Sequence, residues 1–331
     1  MTNKLFLKQA LCPRLVLVDG LTRSGKMLTA KLVSNFKRME YFQPFEPVDH
    51  IPIFWRLGKL DFETARAFLR MEMDSAIYNR AVGRNMNLRR ADSSSIHLAL
   101  NHDEYIRRAE NPDTDGVMEK FNADGRWPLF FTHEMLPNIE LFFSVAENLK
   151  VIEPMRHPVD LAYSWYRRGW GERWGEDPLA FIPAVDVGGK AVPWFAADWA
   201  DEYLSLNPID RVIRGILALL DLFEETYGGL TTEHRDQVYF LSYEHLLDSP
   251  AEEIEKLAAF LETEPLEEMT ALAAREGLPR ENPDEKLEGK LKEMAEIAFP
   301  ENIRRLVEAG RRHEEGVGLR APGGLMRARR Q

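Results

Sequence analysis

Residues 19–27 read Asp-Gly-Leu-Thr-Arg-Ser-Gly-Lys-Met, which is the pattern of a phosphate-binding loop. The loop follows a short apolar run at residues 15–18 and precedes a helical pattern at residues 26–39. A glycine-rich turn between a strand and a helix directs backbone N–H groups and the positive end of the helix dipole toward an anion. The sequence therefore predicts a phosphate site at this loop.

The residue after the loop lysine argues against a nucleoside triphosphatase. In those enzymes a serine or threonine at this position holds Mg²⁺. Met27 occupies the position here, and a thioether is a poor ligand for a hard cation. We therefore expect a loop that binds phosphate without a metal ion.

A second candidate phosphate contact is Arg156. Residues 151–155 have a strand-like pattern that ends at this arginine, and a helical pattern begins near Pro158. Ligands bind at the carboxyl ends of the strands in open α/β sheets, and Ser164, about two helical turns further on, can face the same ligand. An arginine with a hydroxyl suits a second, separate phosphate. An ion pair between Arg156 and Asp160 explains the spacing equally well.

A candidate general base follows another strand-like run. Residues 128–132 are followed directly by His133 and Glu134. A histidine titrates near neutral pH and is the natural base for a hydroxyl. Because a lone histidine is more often structural than catalytic, this prediction depends on the other motifs.

Four strand-like runs must position these residues. They lie at residues 15–18, 128–132, 150–154 and 237–242, and polar or turn residues bound each one, as is typical of buried parallel strands. Helical patterns follow at residues 158–168, 210–225 and 250–261. This alternation predicts an α/β fold of three layers, with a central parallel sheet and helices on both faces.

The remaining segments are predicted to belong to the same domain. Residues 40–125 are aromatic and charged and predict a helical insertion, and residues 264–315 predict helices at the edge of the domain. The glycine-rich, arginine-rich end of the chain is typical of a mobile tail. We therefore expect one domain over residues 1–320 and a mobile tail over residues 321–331.

Composition excludes several functional classes. The chain has 331 residues and a formal charge of −11, which argues against a general nucleic-acid binder. Its one cysteine, Cys12, cannot form an internal disulfide, so the fold does not need an oxidising compartment. Polar residues interrupt the N-terminal apolar stretch, and no run approaches the roughly 20 apolar residues that span a bilayer. We therefore expect a cytoplasmic protein that has no membrane or nucleic-acid partner.

Four motifs together resemble those of the sulfotransferase family, in the family's order across residues 15–262. Residues 20–25 are similar to its 5′-phosphosulfate loop, and the stretch from Arg156 to Ser164 resembles its 3′-phosphate motif. Residues 132–137, Thr-His-Glu-Met-Leu-Pro, resemble its Thr-His-Leu-Pro segment, which carries the catalytic histidine. Residues 242–247, Ser-Tyr-Glu-His-Leu-Leu, resemble its Tyr-Glu-Asp-Leu segment. The resemblance implies a P-loop-type fold.

The resemblance also implies transfer of a sulfuryl group from 3′-phosphoadenosine 5′-phosphosulfate (PAPS) to an alcohol or amine, with no metal. His133 would take the acceptor's proton, and Lys26 with Arg23 would compensate charge on the sulfuryl group. Arg156 and Ser164 would bind the 3′-phosphate. The donor-binding residues that it implies are Arg23, Ser24, Gly25, Lys26, Met27, Arg156, Ser164 and Tyr243.

The chain departs from the family at several of these positions. Lys26 and Met27 replace two threonines, so hydroxyl contacts to the 5′-phosphate are lost, and Lys26 is expected to replace one of them with a full charge. Phe131 replaces a lysine that often precedes the threonine and histidine, which removes one contact to the sulfuryl group. Glutamate is the base in glycan-modifying branches of the family, so Glu134 is a rival to His133, which we place first.

The sequence does not identify the acceptor, which we expect to be a small or carbohydrate-like molecule. The polar residues 87–95 suit a hydroxylated ligand, but we place a capping loop first. Trp165, Trp170 and Trp174 suit an acceptor wall and equally the core or a lid. Two alternative functions are a P-loop kinase or other NTP-dependent phosphotransferase, and a catalytically silent nucleotide-binding module. The oligomeric state is not predicted.

Overall fold

A computed structural model describes residues 5–280 and 286–316 of the chain. Its strands, in chain order, are β1 (Arg14–Val18), β2 (Leu129–Phe131), β3 (Asn148–Met155), β4 (Ala184–Val187), β5 (Lys190–Pro193) and β6 (Val238–Ser242). Four of them form a parallel sheet in the order β2-β1-β3-β6, and β4 pairs with β5 in a separate antiparallel hairpin. All four predicted strands are confirmed, and they share one sheet.

Helices fill the connections between the strands. Those before β3 are α1 (Lys26–Val33), α2 (Pro47–Arg56), α3 (Phe62–Ala81), α4 (His102–Glu110), α5 (Val117–Ala123) and α6 (Ile139–Phe143). Those between β3 and β6 are α7 (Pro158–Tyr166), α8 (Trp170–Arg173), α9 (Ala200–Ser205), α10 (Pro208–Gly229) and α11 (Thr232–Asp236). Those after β6 are α12 (Tyr243–Asp248), α13 (Pro250–Leu261), α14 (Met269–Arg275), α15 (Leu287–Ala295) and α16 (Pro300–Glu314).

The central sheet is covered on both faces, as the apolar runs predict. In β1, Leu15 and Leu17 join a core with side chains from α2, α3, α7, α10 and α16. Val16 and Val18 point to the opposite face and pack with side chains from α1, α12, α13 and α14. Both sets are nearly inaccessible to solvent, which explains why the strand reads as a continuous apolar run. The three-layer α/β fold with a central parallel sheet is confirmed.

The strand order places two predicted motifs beside one another. Val18 at the end of β1 is paired with Ile152 of β3 on one side and with Phe131 of β2 on the other. The chain leaves β1 toward β2 and leaves β3 toward β6, so the connections diverge between β1 and β3. Ligands of open α/β sheets bind in the crevice at such a point. The phosphate loop and the turn at Arg156 both border it.

Some element boundaries differ from the prediction. The first helix ends at Val33 and not near residue 39, because Ser34 and Asn35 bond their side chains to the Ala30 and Lys31 carbonyls and compete with the helical pattern. The hairpin of β4 and β5 is not predicted, although its two-residue Gly188-Gly189 turn, with φ of 62° and 82°, is a hairpin signal.

Helices also occupy the segments outside the sheet. The predicted insertion contains α2 to α5, and the C-terminal helical segment contains α14 to α16. In the described part of the chain no helix has the length and apolar character needed to cross a membrane. The single-domain organisation stays a prediction, and the tail at residues 321–331 lies outside the described residues.

Candidate nucleotide and proton-transfer site

The phosphate loop presents a row of backbone donors. Gly20, Arg23 and Gly25 have φ values of 113°, 75° and 101°, which turn the chain sharply between β1 and α1. Within the described residues, the N–H groups of Arg23, Gly25, Lys26 and Met27 donate to no protein acceptor. Successive free N–H groups at a helix start form a concave anion site. The loop therefore has the donors that the sequence predicts for it.

Tyr243 covers the loop at Gly25. A Cβ atom on Gly25 would lie 2.1 Å from the tyrosine ring, so no other residue fits there without movement. The guanidinium of Arg156 lies over this ring, 4.8 Å from its centroid, and Arg280 donates a 3.0 Å hydrogen bond to the tyrosine hydroxyl. Three motifs far apart in sequence thus meet at one edge of the sheet.

Arg156 contacts both the loop and its own helix. Its Nη1 donates to the Arg23 carbonyl at 2.8 Å, and its Nε donates to Asp160 Oδ2 at 2.6 Å. Lys290 is also paired with Asp160. The ion pair with Asp160 is therefore present together with the contact to the loop. Ser164 is half-buried on α7, and no hydrogen bond of the described residues joins it to Arg156.

Ser24 lies beneath the loop with an unused hydroxyl. The residue is 1% exposed, and its Oγ has no hydrogen-bond partner among the described residues. A buried polar atom without a partner costs free energy, so it indicates a site completed by something else. This hydroxyl suits an anionic oxygen held by the loop.

His133 is oriented by a carboxylate from the predicted insertion. Its backbone N–H donates to Asp49 Oδ1 at 2.9 Å, and its ring Nδ1 lies 2.9 Å from Asp49 Oδ2. The imidazole is 40% exposed, whereas the Asp49 side chain is 15% exposed. Phe131 packs edge-on against the imidazole with its centroid 5.0 Å away. Asp49 therefore holds the imidazole through Nδ1. The other ring nitrogen, Nε2, belongs to a side chain that is accessible to solvent.

Glu134 lies next to His133 in sequence but has a different environment. It is 5% exposed, and its Oε1 accepts a 2.5 Å hydrogen bond from the Thr22 N–H of the phosphate loop. Its backbone N–H donates to the Gly20 carbonyl at 3.3 Å, and its φ is 56°. The structure thus connects Glu134 to the loop backbone, whereas His133 has an exposed ring.

The side of the loop that faces the protein interior holds a cluster of buried ionisable groups. Asp19, directly after β1, and Glu153, on the neighbouring strand β3, are both fully buried, and Lys26 is 4% exposed. The Lys26 ammonium donates to the Gly20 carbonyl at 2.9 Å and lies 5.4 Å from the ring centroid of Phe131. Lys26 therefore has its side chain beneath the loop, although its N–H faces the anion site.

Burial controls the titration of this cluster. It raises the pKa of Asp19 and raises that of Glu153 well above the ordinary value, and it lowers the pKa of Lys26. The Lys26 charge opposes the rise for both carboxyls, and the Glu134 charge opposes the fall for Lys26. Asp19 also accepts hydrogen bonds from the Thr132 hydroxyl and from two backbone N–H groups of the following turn. The cluster fastens β1, β2 and the loop together.

The tryptophans after Arg156 fasten α7 to the loop. Trp165 is fully buried, and its Nε1 donates to the Thr22 carbonyl at 2.6 Å. Trp170 and Trp174 are half-buried and stack at 5.3 Å between ring centroids. The structure gives Trp165 a core and positioning role, and it leaves the other two at the edge of that cluster.

The polar segment at residues 87–95 bonds within itself. Asn87 donates to Asp92 at 3.2 Å and to Ser94 at 2.9 Å, and Ser94 and Ser95 are buried. This arrangement is that of a capping loop. Among residues 5–280 and 286–316, no group of three or more His, Cys, Asp or Glu side chains is placed to hold a metal ion.

The sequence did not predict the residues that hold the candidate site residues and the loop in position. Asp49, Asp19, Glu153 and Trp165 contact the predicted residues or the loop, yet none was predicted to do so. Asp49 lies 84 positions from His133 in a segment without a motif. A carboxylate inside the apolar pattern of β3 was the one available signal for Glu153, because charged residues are rarely buried without partners.

Comparisons with known proteins agree with the motifs. A family model described as the sulfotransferase domain matches residues 13–293. The fold is similar to the sulfotransferase domain from the curacin biosynthetic pathway (TM-score 0.47, 13% identity, 93% of this chain and 99% of that one). It is also similar to the sulfotransferase domain of the Synechococcus PCC 7002 olefin synthase (0.43, 12%, 93% and 97%) and to a sulfotransferase from Alicyclobacillus acidocaldarius (0.37, 14%, 90% and 99%). No curated protein sequence matches the chain.

Proposed function

The chain belongs to the sulfotransferase domain family, and from that premise we propose that it transfers a sulfuryl group from PAPS to a hydroxyl or amine of a small-molecule or carbohydrate-like acceptor. One observation carries the proposal: four loop N–H groups with no acceptor among the described residues lie beside Arg156 at the crevice between β1 and β3. A donor with anionic groups at two positions requires two such sites, and it requires no metal.

The donor would be held by the loop at one end and by α7 at the other. The N–H groups of the loop and the Ser24 hydroxyl bind the 5′-phosphosulfate, and Arg156 with Ser164 binds the 3′-phosphate. Tyr243 is the residue that contacts the adenine. The free hydroxyl of Ser24 and the position of Arg156 over the Tyr243 ring support these roles.

Arg23 and Lys26 would contribute to the charge on the sulfuryl group in different ways. Arg23 has an exposed side chain on the outer face of the loop, so it can reach an anion directly. Lys26 contributes its backbone N–H, and its ammonium would reach the donor only by leaving the Gly20 carbonyl. Met27 contributes a backbone N–H, because its thioether is a poor ligand for a metal.

His133 is the proposed general base. Asp49 accepts a hydrogen bond from the Nδ1–H of His133, which leaves the Nε2 lone pair to take a proton from the acceptor. As the acceptor oxygen or nitrogen forms its bond to sulfur, the bond from sulfur to the 5′-phosphate oxygen breaks and its electron pair leaves on the bisphosphate. The Glu134 carboxylate accepts a hydrogen bond from the Thr22 N–H, which favours His133 over Glu134 as the base.

The single cysteine supports a cytoplasmic location.

Thermal denaturation with nucleotides tests the donor. We expect adenosine 3′,5′-bisphosphate at 100 times its dissociation constant to add about 2.7 kcal/mol to the free energy of unfolding, with or without Mg²⁺. Arg156→Ala should abolish this response. Strong stabilisation by Mg-ATP without a response to the bisphosphate would instead favour a P-loop kinase.

Turnover of PAPS in a broad screen of alcohols and amines tests the chemistry. With an active acceptor, His133→Ala should lower kcat by about 10² to 10⁴, because that is the usual contribution of a general base. Glu134→Gln is the matched comparison, since its amide oxygen can still accept from Thr22. The assignment of His133 fails if Glu134→Gln shows the larger loss. Bisphosphate binding with no turnover on any acceptor would favour the catalytically silent module.

A further inference from the structure

Arg168 lies just beyond α7, close to the phosphate loop. Trp165, three residues earlier, donates to the Thr22 carbonyl, and Arg156 before the same helix donates to the Arg23 carbonyl. The Arg168 N–H continues the turn by donating to the Trp165 carbonyl at 3.2 Å. Positions four apart share a helix face, so Arg168 lies one turn beyond Ser164. Both ends of α7 are therefore held against the loop.

Arg23 follows Thr22, the residue that Trp165 contacts, and Arg168 lies three residues beyond Trp165. Both side chains are exposed, and no carboxylate of the described residues lies within ion-pairing distance of either. After burial, the positive charge of Arg168 is the largest cause that lowers the pKa of Arg23, and the charge of Arg156 follows. Like charges act on one another in this way only when they are near. Two neighbouring cations without an acid favour an anionic ligand between them.

The neighbouring arginine provides a contrast. Arg167 is 62% exposed and lies 3.3 Å from Glu293, so its charge is already compensated. In addition, β2 ends at Phe131, which is buried and supplies no cation to the loop. The anion site thus has no cation from β2. Arg168, just beyond α7, provides a cation that no carboxylate of the described residues compensates.

We propose that Arg168 is a donor-binding residue that, together with Arg23, clamps the 5′-phosphosulfate end of the nucleotide. The proposal rests on the proposed function and adds a residue that none of the motifs contains. A guanidinium presents several donors to phosphate or sulfate oxygens, and its charge strengthens each hydrogen bond.

Titration calorimetry with adenosine 3′,5′-bisphosphate tests this role. We expect Arg168→Ala to weaken binding about 10-fold to 100-fold, the usual effect of losing a hydrogen bond to a charged group. Arg167→Ala, which removes the same charge one position away, should leave the dissociation constant within about twofold of the wild type. With adenosine 3′-monophosphate, which lacks the 5′ group, the effect of Arg168→Ala should disappear.

The midpoint of thermal unfolding distinguishes binding from structural support. Without nucleotide, Arg168→Ala should unfold at the wild-type temperature or above it, because a like-charge contact is removed. A lower midpoint together with weaker binding would assign Arg168 to support of the fold and overturn the proposal. Equal affinity of Arg168→Ala and Arg167→Ala would also overturn it, as would equal loss for the 3′-monophosphate. If the wild-type protein does not bind the bisphosphate at all, the proposed function fails as well. If the wild type and Arg167→Ala bind it and Arg168→Ala binds it equally well, only the role of Arg168 fails.

Discussion

The two sides of the phosphate loop differ in charge and in burial. On the outer side, Arg23 and Arg168 are exposed and have no carboxylate partner in the described residues. On the inner side, Asp19 and Glu153 are fully buried, and Lys26 is the cation among them. One short loop thus separates a cationic surface from an acidic interior.

This difference indicates two separate tasks. Asp19 bonds to the Thr132 hydroxyl and to the turn that follows, and Lys26 bonds to the Gly20 carbonyl, so these inner groups determine the shape of the loop. The outer arginines repel one another until an anion is bound, so they determine affinity. Variants of the inner groups should change stability, and variants of the outer groups should change binding.

The largest expected effect is that of Lys26→Met. Lys26 is the cation of this cluster within the described residues, and removing it leaves the buried Asp19 and Glu134 carboxylates without its compensation, which typically costs about 3–5 kcal/mol. We expect a loss of this size in the free energy of unfolding, measured by urea denaturation at neutral pH. If Lys26 acts only as a nucleotide ligand, the variant will keep wild-type stability and lose bisphosphate affinity, and the contrast between the two sides is then wrong.

Lys31→Met is the matched control for that variant. Lys31 lies on the same helix and pairs with Glu276 at 2.8 Å, but its side chain is 12% exposed and that of its partner 24% exposed. A partly exposed pair contributes about 1 kcal/mol or less. We therefore expect Lys31→Met to be clearly more stable than Lys26→Met.

The second effect is a pH dependence due to Glu153. Burial raises the pKa of this carboxyl well above its ordinary 4.5, so above that pH the folded protein keeps a proton that the unfolded chain has lost. Folding stability therefore falls as pH rises toward the folded pKa, by up to about 1.4 kcal/mol for each pH unit. Glu153→Gln should remove this slope, so the variant gains stability relative to wild type as pH rises. Burial raises the pKa of Asp19 as well, so the variant keeps a residual slope of the same sign.

Glu140→Gln, at an exposed position on α6, controls for a general loss of charge. Its stability should follow that of the wild type at every pH in a series of denaturation curves. The amide of Glu153→Gln also lacks buried partners, but that cost is independent of pH and does not affect the slope. Parallel curves for wild type and Glu153→Gln would contradict the idea that Glu153 is protonated in the folded protein.

The sequence predicted what depends on local patterns and missed what depends on distant contacts. Apolar runs gave the four sheet strands, and glycine spacing gave the loop, because both patterns operate within a few residues. The contact between Asp49 and His133 joins positions 84 apart, and that between Trp165 and Thr22 joins positions 143 apart. No periodicity predicts such pairs, since the fold must exist before they meet.

Two further features that the sequence analysis did not predict differ in their cause. Helix α1 ends early because the Ser34 and Asn35 side chains bond back to helix carbonyls, and such competition was readable from their residue types. The proposed role of Arg168 could not be predicted from the sequence, because it depends on Arg168 having no ion-pair partner among the described residues. Arg167, with the same residue type one position earlier, has Glu293 as a partner.

The smallest expected change in stability is that of Arg23→Gly. This variant should become more stable although it binds the nucleotide more weakly. Arg23 has a φ of 75°, a conformation that costs a side chain about 1 kcal/mol or more and costs glycine almost nothing. Arg23→Gly should therefore gain up to about 1 kcal/mol in the free energy of unfolding, and it should bind adenosine 3′,5′-bisphosphate at least about tenfold more weakly. Arg23→Ala separates the two effects, because it loses the guanidinium but keeps the strained backbone. It should bind as weakly as Arg23→Gly without gaining its stability. Equal binding by all three proteins would mean that the outer side of the loop does not hold the nucleotide, whereas a stability loss in Arg23→Gly would mean that Arg23 supports the loop as the inner groups do.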